Sequence, residues 1–427
     1  MKLPLIILLV CICPLCWAID DDVYLTISKQ GSGKTPIGLM YLRDMHNSRQ
    51  TRTTREMDEI LRFDLSISGY FKVYQEKEMD PEERRDVNHL QADPLYATAL
   101  RAIIFGSVVE SGDSLVLNGF IRDPFTSERL LKRKYRGKRS SLRKIVHTFS
   151  DDIILHLTGE KGFCRSQIVA VWRKKDCQDI VRMDYDGHNM VTLIKNNSLN
   201  TSPKLSDDRR KVCFVSYQRG YPDIYVYTIA DKRLTQITRN RHTCNAPAFS
   251  HDGSSLAFSM AVNGNSDIFM IRNLQAPQVE RLTFANSIET SPTFSPDDKR
   301  LVYTSDRAGI PNIYSMDVTG ANSRRLTYGG QYYESPDWSM DGNLIAFVSM
   351  NAKRFDLFVM DIDGANPERL TAFQGSNENP SFCPFQRLLV YASDRDGVYR
   401  LYLTNTNGDF DVAITPRRLN ILQPHWR

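Results

Sequence analysis

The chain has 427 residues, 41% of them hydrophobic and 25% charged, and a formal net charge of +5. Such a composition leaves room for a large core and excludes wholesale disorder. The length predicts two or three domains, and so small a positive balance identifies no nucleic-acid partner.

Met1–Ala18 reads MKLPLIILLVCICPLCWA, with one Lys, an apolar run and the small residues Cys16 and Ala18 at the −3 and −1 positions of a cut. This is the pattern of a secretory signal peptide cleaved near Ala18. The run is shorter than the ~20 residues a spanning helix needs, so an uncleaved anchor is disfavoured. Cys11, Cys13 and Cys16 lack the small residues that precede a lipidated cysteine, and a lipid anchor is the lesser reading. No other stretch is long and apolar enough to span a bilayer, so the expected product is exported and soluble. Export leaves Cys164, Cys177, Cys213, Cys244 and Cys383. An odd number leaves at least one outside any intrachain pair, and their spacing fits neither CxxC nor a zinc site. Cys213 falls in the apolar run Val212-Cys213-Phe214, where a thiol serves as a small hydrophobe.

Residues 19–160 are expected to form a small α/β domain with a tail over 19–33. Val23–Ser28 and Ile37–Tyr41 read as strands. Glu56–Leu65 carries Met57, Ile60, Leu61 and Leu65 at helical spacing and stops at Ser68-Gly69. Leu95–Ala102 is read as a second helix, Ile103–Val109 and Leu115–Phe120 as a hairpin, and Ser141–Leu157 as a third helix. Gly31-Ser32-Gly33-Lys34-Thr35 has the look of a phosphate-binding loop. The glycine such a loop needs five positions before Gly33 is Ser28, and Pro36–Met40 reads as turn and strand rather than helix. It is taken as a turn. His147 and Asp151 stand four apart on the third helix without a third ligand nearby, and read as an ordinary surface pair. Arg129–Lys144 holds nine basic residues with Tyr135 as its lone aromatic. A solvated strand-and-loop surface is the plain reading, with contact to an anionic envelope surface as the sharper one.

Residues 161–427 are organised by repetition. Pro203, Pro247, Pro292, Pro336, Pro380 and Pro424 follow one another at gaps of 44, 45, 44, 44 and 44 residues. Two positions after each stands a large apolar residue: Leu205, Phe249, Phe294, Trp338, Phe382 and Trp426. Each unit carries four short β-rich runs, ending in pairs such as Leu282-Thr283, Leu326-Thr327 and Leu370-Thr371. A period of ~40–45 residues with four strands is the signature of a β-propeller blade. The first blade, Ile168–Val171, Asp179–Asp184 and Val191–Ile194, has no opening strand, while Gln423–Arg427 is an opening strand with no blade behind it. The expected fold is therefore an α/β N-terminal domain followed by an all-β six-bladed propeller closed by the C-terminal strand, leaving no exposed edge.

Catalytic signals are absent from this pattern. There is no G-x-S-x-G elbow, and Asp207-Asp208, Asp252-Gly253 and Asp341-Gly342 share one turn position, which is hairpin chemistry. The histidines, His89, His188 and His251 among them, are scattered and do not recur in blade register. No enzyme, cofactor or metal is expected.

The blades, with Ser-Pro-aromatic openings and Arg-Leu-Thr closings, resemble the TolB family of the Tol–Pal system of Gram-negative bacteria. So do the junction His147–Phe163 and the helix end Asp64-Leu65 with Ser68–Phe71. The likeness implies a periplasmic adaptor that supports outer-membrane integrity and cell division. One propeller face would dock the peptidoglycan-associated lipoprotein Pal, and the tail would engage the inner-membrane protein TolA. Carried onto this chain, the Pal face comprises loops before the repeat prolines, with His242, Thr243, Asn245, Ala246, Glu289, Thr290, Ser291 and Glu334. The TolA tail comprises Asp20, Asp21, Asp22, Val23, Tyr24 and Leu25. A monomer is expected. The competing readings are a propeller hydrolase or lyase with its site in the channel, and an adaptor of another envelope system.

Overall fold

The computed structural model describes residues 33–76, 100–239, 242–329, 331–372 and 374–427. The expected signal peptide, the Val23–Ser28 strand, the tail residues Asp20–Leu25, His89 and most of Leu95–Ala102 lie outside them. Among the described residues no helix is long and apolar enough to cross a membrane.

The N-terminal part is a mixed sheet backed by two helices. Its strands are β1 (Thr35–Leu39), β2 (Arg43–Asp44), β3 (Phe71–Gln75), β4 (Ala102–Ser111), β5 (Ser114–Arg122) and β6 (Arg129–Lys138), in the order β3-β1-β4-β5-β6 with β2 beside β4. Helix α1 (Arg52–Ile67) opens with a reciprocal cap. The Thr54 N–H donates to the Thr51 hydroxyl at 3.2 Å and the Thr51 N–H to the Thr54 hydroxyl at 2.9 Å, which satisfies two amides that lack helical partners. Helix α2 (Leu142–Thr158) ends on Gly159, held at φ 73°, where a side chain would be strained. Met57, Leu61, Leu65, Val146, Phe149 and Ile153 seal the sheet as one core. Thr35, the last residue of the apparent phosphate loop, opens a strand, so no helix amides follow it. Leu100 and Arg101 are not helical and Ala102 begins β4, correcting the end of the helix read over Leu95–Ala102. The basic run is strand β6, with Lys132, Arg133, Lys134 and Arg136 exposed and Tyr135 turned inward.

Six four-stranded sheets follow. Blade 1 combines Asn420–Trp426 with Gln167–Arg173, Gln178–Asp184 and Val191–Ile194. Blades 2 to 6 open with Asn200–Leu205, Thr243–Phe249, Glu289–Phe294, Tyr333–Trp338 and Asn377–Phe382. The closure is antiparallel, with Asn420 opposite Arg173 and Trp426 opposite Ile168. Trp426 is fully buried, stacks parallel to Tyr185 at 6.2 Å and donates its indole N–H to Ser166 at 2.6 Å. The repeated closing threonine has a physical task. The hydroxyls of Thr238, Thr283, Thr327, Thr371 and Thr415 each accept the first inward N–H of their blade's third strand at 2.9 Å. That bond ties the outermost strand to a backbone amide that would otherwise be buried unpaired.

Cys164, Cys213, Cys244 and Cys383 are buried, Cys177 is half-buried, and all five thiols are free. Burial pushes the Cys213 thiol well above its ordinary range, which suits a packing role.

Candidate functional site: the axial mouth

All six innermost strands start at one end of the ring and pass the axis at their repeat proline. A proline has no N–H to give to the ladder, and each strand answers with a register shift there. The residue before each proline takes a left-handed backbone: Ser202 φ 51°, Ala246 47°, Ser291 54°, Ser335 54°, Asn379 52° and Gln423 51°. A bulge bends the strand and re-aims its side chains. Six of them, one per blade, build a ring of prolines and small polar residues around a cavity of about 70 Å³. Non-glycine residues at such angles carry local strain that surrounding structure must hold in place. Here the support is lateral, with the Ser202 N–H donating to Gln423 Oε1 of the neighbouring blade at 2.9 Å.

The residues expected to face a partner gather at this mouth. Apart from His242, which precedes its strand, they are not loops, which corrects the sequence reading: Thr243–Ala246 and Glu289–Ser291 are the first part of the ladder in blades 3 and 4. The strand continues through the bulge, so the proline does not mark its beginning. Thr243 and Asn245 are exposed, while His242, Ala246, Thr290, Ser291 and Glu334 are half-buried at the rim. Across the blade 3–4 boundary Ser259 lies 3.3 Å from the Thr290 hydroxyl and donates to the Asn245 carbonyl at 3.1 Å. Glu289 is different. It is fully buried and its carboxylate is bonded to Arg307, Ser287 and Ser305, so it braces the rim from within.

Composition and motif carried no signal for the apolar part of this face. Phe284 is 73% exposed, Tyr328 68% and Ile288 57%. They sit in the connections that lead into blades 4 and 5, with Arg281 over the Phe284 ring at 4.9 Å and Arg325 over Tyr328 at 4.9 Å. Exposed apolar side chains that gather into a contiguous patch mark contact surfaces. Their one visible sequence cue is that each follows a closing Thr by one residue or a few.

Below the prolines the channel narrows to a chamber of about 10 Å³ lined by Lys204, Asp207, His251, Asp337, His425 and Arg427, among others. Two histidines, His251 and His425, line this chamber, although no histidine recurs at one repeat position from blade to blade. Burial, with Arg427 and Lys204 nearby, drives the His425 pKa far down, and its neutral Nδ1 accepts the Leu205 N–H at 3.0 Å. His251 and Arg427 are both held by Asp207, each at 2.8 Å. A space the size of about one water molecule admits no substrate.

The second cluster of charge lies where the two parts of the chain meet. His147 and Asp151 are buried, not a surface pair: His147 is 2% exposed and Asp151 4%. His147 Nδ1 is 2.9 Å from Asp64 of α1 and Nε2 is 3.3 Å from Asp186 of the first blade. Asp64 also accepts from Ser150 at 2.6 Å and from Tyr185, and Arg143 clamps Asp186. Burial opposes the imidazolium, but Asp64 and Asp186 outweigh it and lift its pKa to about 10. Asp151 receives the Cys164 N–H at 2.8 Å and Arg165 at 2.7 Å. The linker runs so close that a Cβ on Gly162 would lie 2.2 Å from the Asp151 carboxylate. Ligand atoms of His147, Asp184 and Asp186 fall within 4.8 Å of one another. The protonated imidazole and Arg143 already supply the cations there, so the cluster reads as an interdomain lock.

Residues 155–427 match the model of the TolB beta propeller domain, and residues 23–129 that of the TolB amino-terminal domain. A "Protein TolB homolog" of Chlorobium chlorochromatii is 30% identical over 293 residues, 67% of this chain and 64% of that protein's length. The chain thus spans a little under two thirds of that relative. A "Tol-Pal system protein TolB" of Geobacter sulfurreducens is 31% identical over 193 residues, 45% of each chain. Among solved structures, TolB from Acinetobacter baumannii superposes with a TM-score of 0.79 at 25% identity, covering 92% of this chain and 96% of that one. A nidogen/laminin complex, at 10% identity and TM-score 0.52, shares the propeller fold alone.

Proposed function

The chain belongs to the TolB family, and from that membership we propose that it is a non-catalytic periplasmic adaptor of the Tol–Pal system. It docks the lipoprotein Pal on the axial mouth and engages TolA through residues 20–25, in support of outer-membrane integrity and cell division. The observation that carries this reading is the mouth itself. The bulged opening strands of blades 3 to 5 present Thr243, Asn245, Ala246, Thr290, Ser291 and Glu334 as one rim, with Phe284, Ile288 and Tyr328 beside it. Binding commonly resides on such elements held by a rigid scaffold, and exposed aromatics at the centre of a contact supply most of its affinity. The channel below has space for about one water and none for a substrate, which disfavours a channel hydrolase or lyase.

The test is a titration of the purified full-length chain against the periplasmic domain of Pal from the same genome. Thr290→Arg places a long charge on the rim without entering a blade core, and Phe284→Ala removes an exposed ring. Each is expected to weaken binding at least tenfold while leaving the melting temperature within about 2 °C. Equal affinities for both variants and the parent chain would remove the site from the mouth. Capture of envelope proteins on the same chain tests the alternative of another envelope system.

A further inference from the structure

A six-bladed mouth is close to six-fold symmetric, so a docked protein meets six similar settings unless some side chain distinguishes them. The distinction appears at the position after each proline. Four of the six residues there tie their blade to the next. Thr293 donates to the Pro336 carbonyl at 3.1 Å, and Asp337 accepts the Phe382 N–H at 2.7 Å. Ser381 accepts the Trp426 N–H at 3.2 Å, and His425 accepts the Leu205 N–H at 3.0 Å. Ala248 has nothing to offer. Lys204, on blade 2, carries an ammonium, which has donors and no acceptor, and so cannot take up the corresponding N–H of blade 3. Among the described residues its ammonium forms no hydrogen bond or close ion pair, and its charged neighbours are Asp337 and Arg427.

Lys204 is also the one charged residue among those lining the mouth cavity of about 70 Å³. Three blades away, on the far side of the axis, stands Asp337, 1% exposed and with Oδ1 buried and unpartnered. On that same side Glu334 and Glu378 occupy the strand starts of blades 5 and 6, each accepting a tyrosine hydroxyl, Tyr332 at 2.9 Å and Tyr399 at 2.7 Å. Arg427, deeper in the channel, is held by Asp207. The mouth is therefore positive towards blade 2 and negative towards blades 5 and 6. Burial pulls the Lys204 pKa down while Asp337 acts the other way, so Asp337 offsets part of the cost of holding the charge there and an anion brought close offsets more.

We propose that Lys204 is a carboxylate-binding subsite, filled by one Asp or Glu side chain of the protein docked on the mouth, and that it fixes the rotational register of docking. This rests on the docking reading above. A cavity of this volume holds several water-sized spheres, enough for a carboxylate and the methylene that carries it. Like-charge repulsion from Glu334 and Glu378 turns an acidic chain away from the opposite side.

Lys204→Met keeps the length and apolar bulk of the side chain and removes its charge; Lys204→Gln is the second variant should the first lower the melting temperature. Against the Pal periplasmic domain, the variant is expected to bind at least tenfold more weakly and with a shallower dependence on salt. Among single Asp→Asn and Glu→Gln changes on Pal, one should cost affinity with the parent chain and nothing with Lys204→Met. Equal affinity of parent and variant overturns the subsite and leaves docking standing. A parent chain that does not bind Pal overturns docking instead, and sodium acetate then decides the subsite. At constant ionic strength, with chloride as the control, acetate should shift the Leu205 and Phe382 amide resonances saturably in the parent and not in the variant. Shifts alike in both chains, or alike for acetate and chloride, overturn it.

Discussion

At position 147 a cation is held between two carboxylates contributed by different parts of the chain, and this makes the junction sensitive to pH in a stated direction. The His147 pKa is raised from 6.5 to about 10 in the folded chain. The stability it contributes is whole below pH 6.5 and declines as pH rises through about 10. Asp186 is shifted the other way: burial raises it, but bonds from His147 and His188 hold it far below the ordinary carboxylate range. Its contribution is whole above about 4 and declines under strong acid. The lock is thus strongest between roughly pH 4 and 6.5. In urea titrations the parent chain is expected to lose on the order of 2–4 kcal/mol between pH 6 and 10, and His147→Gln to lose that slope along with a similar amount at pH 6. A parent curve flat over this range would mean that His147 is neutral in the fold. Spacing showed His147 and Asp151 on one helix face but not their fate, because the partners that decide it, Asp64 and Asp186 for His147 and the linker residues Cys164 and Arg165 for Asp151, are brought in only by tertiary packing.

The blade elements divide into those the period reveals and those it hides. The recurrence of Pro, large apolar and closing Thr was enough to count sheets, since each strand repeats what a blade needs: a β-branched or aromatic run and a turn. The start of each innermost strand was hidden, because a proline reads as a boundary while here it sits at a bulge inside the strand. The exposed apolar residues Phe284, Ile288 and Tyr328 at the rim were hidden as well, lying in connections that need not repeat. The short β3 (Phe71–Gln75) follows directly on a helix end and has no turn signal of its own after Gln75. The closing threonine gives the element-scale prediction. Thr327→Val keeps shape and burial but leaves the Ile313 N–H, now bonded at 2.9 Å, without an acceptor. The expected loss is about 1–3 kcal/mol, read as a lower denaturation midpoint at unchanged slope, with Thr327→Ser restoring most of it. A Val variant as stable as the parent would show that the bond is dispensable.

For the molecule as a whole, what matters is that the ring is closed by residues from its two ends. Asn420–Trp426 is the innermost strand of blade 1 and pairs with Gln167–Arg173, while its neighbours are blades 6 and 2. The same segment fixes three other regions. Trp426 packs against Phe163 and Tyr185 beside the interdomain lock, Arg427 exchanges backbone bonds with Gln167, and its guanidinium holds Asp207 of blade 2. Ending the chain at Leu419 would therefore remove a buried tryptophan, a ladder and the charge partner of Asp207 at once. It would also expose Gln167–Arg173 as a bare apolar edge, which invites pairing between chains. Loss of the indole alone costs about 3–5 kcal/mol in a packed core, comparable to much of the stability of an ordinary domain. The truncated chain is expected to lose its cooperative thermal transition and to elute as aggregate in size-exclusion chromatography. Trp426→Phe, which keeps the strand and an aromatic ring, should stay monomeric with a transition lowered by several degrees. A truncated chain that melts cooperatively as a monomer would show that five complete blades and a three-stranded sixth hold the ring without its clasp.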